Sequence, residues 1–165
     1  MNTRPYLLLM VSLAGFWTSG CSAVSKNVQP ALLQTSSFSI CPWKSSDSGL
    51  EVVRDATLWQ QLLAQQQNLG ELRKWEPSFK NDQRVIIYRM GQKNSAGFSA
   101  SFGAPSLLPG DQLRLPVTLT APAAGSMNAM VLTSPCVVGL VQVSLGTTVQ
   151  LINDSTKAVI TTARL

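Results

Sequence analysis

The sequence predicts an α+β domain: mostly antiparallel β-sheet, arranged as a sandwich or an open barrel, with one main helix towards its N-terminal side. Three observations carry this. A single stretch, residues 55–70, spaces its leucines at helical intervals. From Phe79 onward, segment after segment alternates apolar and polar residues or runs continuously apolar between turn residues. Charged residues make up only 13% of the chain, while Gln, Ser, Thr and small apolar residues are common, a balance that suits an exported β-rich domain better than a helical bundle.

Residues 6–17 precede that domain as an apolar run of about a dozen, short of the roughly 20 needed to cross a bilayer core. Arg4 lies before it and Thr18, Ser19 and Gly20 after it, the layout of a secretory leader. The stretch Ser19-Gly20-Cys21-Ser22 resembles the lipobox of bacterial lipoproteins, although Thr18 stands where such boxes usually carry Leu. The resemblance implies cleavage after Gly20 and a diacylglycerol on Cys21. Cleavage after Ala23, or an uncleaved anchor, are the alternatives. Two or three acyl chains hold a protein on a membrane stably. Ser22, in place of an Asp, implies an outer-membrane lipoprotein facing the periplasm. Residues 21–37 then read as a lipid-attached tether, polar and containing Pro30, and residues 38–165 as one β-rich domain of ordinary size.

Within the domain, "SSFSIC" (36–41) reads as a short strand and "PWKSSDSG" as a turn. Residues 50–54 are extended and β-branched. Asp55 or Thr57 is a suitable N-cap for a helix whose Leu58, Trp59, Leu62 and Leu63 form one apolar stripe, ending near Gly70. "QRVIIYRMG" predicts a strand buried on both faces. "GFSASFG" places Phe98, Ala100 and Phe102 on one face. "DQLRLPVTLT" alternates, and its Pro116 predicts an edge position or a bulge. "AMVLTSPCVVGLVQVSL" predicts one or two strands broken at Ser134-Pro135. "TVQLIND" and "KAVITTARL" predict a closing hairpin around Asn153-Asp154.

The chemistry-bearing residues are few. With Cys21 assigned to lipid, Cys41 and Cys136 remain, and in an oxidising compartment they are most simply a disulfide; two separate buried thiols are the alternative. A catalytic cysteine would want a base, and the chain has no histidine. The eight carboxylates are spread singly, so neither a general acid–base pair nor a zinc-type cluster is evident. "MGQKNSAGF" lacks the ending of a phosphate-binding loop. After leader removal, 12 basic face 8 acidic residues, and the basic ones are scattered, so nucleic acid is not an expected partner. No cofactor, metal or catalytic residue is expected, and the protein reads as a binding module rather than an enzyme.

Two stretches, "RVIIYRMGQKNSAGFSASF" (84–102) and "TAPAAGSMNAMVLTSPCVVGLVQV" (120–143), together resemble the C-terminal domain of the protease complex subunit PrcB family. The shared features are a strand, then G-x-K with a small polar pair and Gly-aromatic, then T-S-P-C-V-V. The upstream "VVRDATLWQQLLAQ" is also similar. Asn94-Ser95-Ala96-Gly97-Phe98 departs from the family's usual T-G-G-Y ending. Gly91, Lys93, Gly97, Pro135 and Cys136 carry over as motif positions only. The resemblance implies a lipoprotein that assists the assembly or stability of a protease or other envelope complex, with Gln92, Lys93, Asn94 and Ser95 as the candidate partner-binding loop. The other expectation is a non-catalytic binder of an envelope glycan or lipid.

Overall fold

The computed structural model describes residues 29–43, 46–144 and 146–165. The expected leader, the expected lipid-attachment residue Cys21 and the start of the expected tether lie outside them.

The domain is α+β, with two packed sheets that do not close into a barrel. Its strands are β1 (Ala31–Phe38), β2 (Ser48–Val53), β3 (Gln83–Met90), β4 (Ser99–Phe102), β5 (Ser106–Leu108), β6 (Gln112–Thr120), β7 (Cys136–Gln142), β8 (Thr148–Asn153) and β9 (Val159–Arg164), with helix α1 (Ala56–Ala64) after β2. The first sheet has the order β1-β7-β3-β2, all antiparallel. The second has the order β4-β6-β8-β9, with β5 also on β6. There β6 and β8 run parallel. Parallel neighbours need a crossover, and here the chain crosses through β7 of the opposite sheet.

Two apolar layers result. Alternate residues of β3 point opposite ways: Ile86, Tyr88 and Met90 join Phe102, Leu113, Leu115, Val117, Val137 and Leu151 between the sheets. Val85 and Ile87 face outward and pack with Val138 under α1. On that outer layer three buried indoles follow one another, Trp43 to Trp59 and Trp59 to Trp75, each pair 6.4 Å between ring centroids. The Trp43 indole N–H donates to the Leu62 carbonyl at 2.9 Å, so the turn after Cys41 is tied to the helix. Asp55, one of the two N-cap candidates that the sequence offers beside Thr57, caps α1 by accepting from the Leu58 N–H at 2.8 Å.

Four expectations need correction. The tether does not reach residue 37: β1 begins at Ala31 and pairs with β7 from Ala31↔Gln142 to Phe38↔Cys136. Its Gln-Thr-Ser-Ser stretch sits on an edge strand whose outer positions face water, and a register shift between Leu32 and Gln34 breaks the alternation that marks a strand in sequence. Helix α1 ends at Ala64, not near Gly70, which instead starts a 3-10 helix (Gly70–Lys74). Pro116 lies in an interior strand. Its carbonyl accepts from the Gly103 N–H at 2.8 Å, in the gap where β4 has ended and β5 has not begun. A residue's N–H and C=O point to the same side of a strand, so the donor that proline lacks is missing only at that gap and not from the β8 ladder. Finally, residues 129–133 form no strand, as described next.

A candidate contact surface at one end of the sandwich

The two stretches that carry the family resemblance meet at the end of the sandwich where β3 stops and β7 starts. β3 leaves the sheet at Gly91, whose φ of 74° and whose neighbours, Ser48 N at 3.0 Å and Ser46 O at 3.3 Å from a built Cβ, leave no place for a side chain. The Gln92 N–H then donates to the Ser46 carbonyl at 3.1 Å. From there the loop of residues 91–98 runs beside an arm, residues 121–135, that links β6 to β7.

Backbone hydrogen bonds clamp the arm to the loop. Lys93 N–H donates to the Thr133 carbonyl at 2.8 Å, and Thr133 N–H returns to the Lys93 carbonyl at 2.9 Å. The Thr133 hydroxyl donates to the Ser95 carbonyl at 3.1 Å, and the Ala96 N–H donates to the Ala129 carbonyl at 3.0 Å. Gly97, at φ 96°, lies against Pro122 and Asn128 of the arm. The arm's C-terminal end is held from both sides. Met90 N–H donates to the Pro135 carbonyl at 2.9 Å and Cys41 N–H to the Ser134 carbonyl at 2.7 Å. A Cys41–Cys136 disulfide, with Cα atoms 5.3 Å apart, staples the junction.

This geometry sorts the predicted loop residues. Gln92 and Asn94 are exposed, whereas Lys93 and Ser95 are half-buried against the arm. The Lys93 ammonium lies 5.6 Å from the Phe98 ring centroid, within cation–π range. Lys93 is therefore not a free charge at a loop tip. Gly91, Lys93, Gly97, Pro135 and Cys136 all come together at this end.

The arm itself is the feature that sequence reading missed. Met127 is fully exposed, Met130 is 84% exposed and Leu132 69%, with Val131 between them and Ile40 nearby in the chain segment bridged to Ser134. "AMVL" reads as a strand because it is apolar and β-branched. In the fold it has no ladder partner beyond Lys93–Thr133, and the Val131 N–H turns back to the Ala129 carbonyl. Its visible signal is charge: no charged residue occurs between Arg114 and Asp154. An arm without charges that remains apolar and solvent-exposed is the kind of surface that marks a binding site.

A groove of about 370 Å³ adjoins it, lined by Phe38, Ile40, Cys41, Pro42 and Ser134. Among the described residues no aromatic side chain is exposed, and none forms a platform of the kind glycans stack on. Among the described residues no group of three or more His, Cys, Asp or Glu could hold a metal ion, and no helix is long and apolar enough to cross a membrane. Burial raises the pKa of the Tyr88 phenol above its usual 10.0.

Fold and site together describe a disulfide-stapled β-sandwich with a clamped apolar arm, and the disulfide is compatible with an extracytoplasmic location. The chain matches no protein family, no curated protein and no solved structure.

Proposed function

We propose that this protein is a lipid-anchored, non-catalytic module of the bacterial envelope that works by holding a protein partner. Cys21 carries the lipid at the periplasmic face of the outer membrane. The arm of residues 127–132, flanked by Gln92 and Asn94, is the contact surface. One observation carries the reading: a run of large apolar side chains is displayed to solvent on a backbone clamped by hydrogen bonds on one side and a disulfide on the other. A clamped surface pays little ordering entropy when a partner covers it. The resemblance to the PrcB family supports a protease or other envelope complex as that partner.

The test is a photo-crosslinking residue placed at Asn94 or Val131 in intact cells. A stoichiometric partner should be captured from both positions and not from the exposed Lys80. Repeated recovery of the lipoprotein alone would reject the partner. Incorporation of labelled fatty acid tests the anchor separately, since Cys21→Ala should abolish it. The second reading, a small envelope ligand, is supported by the groove beside Ile40, and the absence of exposed aromatics among the described residues weakens it for glycans.

A further inference from the structure

The described residues contain five sulfur side chains, Cys41, Met90, Met127, Met130 and Cys136. Cys41 and Cys136 are already joined and buried. Met90 lies between the sheets, 9% exposed, in the same apolar cluster as Tyr88 and Phe102. That leaves Met127 and Met130, three residues apart on the arm and both open to solvent. Neither belongs to either apolar core.

We infer that Met127 and Met130 form a paired modification site for peroxide-class oxidants, which convert the arm from apolar to polar without unfolding the domain. The step balances simply. The thioether sulfur takes one oxygen from the hydroperoxide, R–S–CH₃ becoming R–S(=O)–CH₃. The peroxide is reduced to water, or to an alcohol when it is organic. Susceptibility of methionine follows exposure, and the sulfoxide exchanges an apolar sulfur for a polar S=O. The hydrogen bonds that clamp the arm run through the backbone of Lys93, Ala96, Ala129 and Thr133 and the Thr133 hydroxyl. No methionine sulfur takes part in them, so sulfoxidation alters the surface and leaves the clamp in place. Both free thiols of the domain are consumed in the disulfide, so the two methionines are also the most accessible oxidisable sulfurs among the described residues. Regulation of partner binding through this site rests on the contact-surface reading given above; the modification itself does not.

The experiment treats the full chain in detergent with graded hydrogen peroxide and follows each methionine by peptide mass spectrometry alongside thermal melting. Met127 and Met130 should gain oxygen at least about tenfold faster than Met90, as exposure dictates, with the melting transition unchanged. Comparable oxidation of Met90, or loss of cooperative melting as Met127 and Met130 react, would overturn the site. Crosslinking from Asn94 is then repeated on peroxide-treated cells. Capture should fall, and treatment of the extract's protein with both classes of methionine sulfoxide reductase before re-binding should restore it. Undiminished capture by the fully oxidised protein would overturn the regulatory role. If no partner is captured even untreated, the partner reading fails, while the oxidation rates still decide the site.

Discussion

Cys41 and Cys136 are 95 residues apart in sequence. Cross-linking positions that far apart removes about 4.7 kcal/mol of chain entropy from the unfolded state at room temperature. The perturbation is removal of the cross-link in two ways: reduction of the wild type, which keeps both sulfurs, and the double variant Cys41→Ala/Cys136→Ala, which also removes their packing. Urea slopes for domains of this class run at about 1–3 kcal/mol per M, so reduction should lower the unfolding midpoint by about 2 M. The double variant should fall slightly further, because both sulfurs are buried against the tryptophan layer. Tryptophan fluorescence is the natural probe, since Trp43 and Trp59 lie in the same outer layer as the bridge. A loss below about 1 kcal/mol, with the native spectrum retained, would mean that the bridge does not restrict the unfolded chain and would refute the reasoning.

Three more outcomes follow from local geometry. A Cβ on Gly139 would sit 2.8 Å from the Phe102 ring and 3.1 Å from Leu32, so Gly139→Ala should cost about 1–3 kcal/mol in chemical denaturation; adding Phe102→Leu should recover part of it, and purely additive losses would count against overpacking. Asp55→Ala removes the acceptor of the Leu58 N–H and should lower stability by about 1 kcal/mol, while Asp55→Asn should lose much less. Burial raises the Tyr88 pKa above 10.0, so the folded state keeps its phenol proton after the unfolded chain has released it. That contribution is constant below about pH 10 and stability declines as pH climbs beyond it, by at most about 1.4 kcal/mol per pH unit; Tyr88→Phe should flatten the decline, and an identical high-pH profile in both proteins would contradict the assignment.

Much of the secondary structure was legible locally. Asp55 followed by leucines at helical spacing predicts both the start of α1 and its buried face, and the alternation of Phe98, Ala100 and Phe102 predicts the inward face of β4. β3 reads as doubly buried because it lies between α1 and the second sheet, so neither of its faces needs polar residues. The loop position of residues 92–95 was legible in the motif that carries the family resemblance. The inward disposition of Lys93 was not, because it depends on an arm that joins the sandwich some 30 residues later.

Periodicity, capping and cysteine count are properties of neighbouring residues, and they determined the helix, most strands, the α+β class and the two cysteines able to pair. What only the tertiary structure decided is which strands share a sheet, that the polar Gln-Thr-Ser-Ser of β1 completes an edge, that Pro116 falls at a gap between two partners, and that an apolar arm stays outside the core. The physical reason is common to all four. Burial and hydrogen-bond pairing are settled by what lies across from a residue. In this fold those partners are often distant in sequence: β6 finds β8 only after the chain has passed through the opposite sheet.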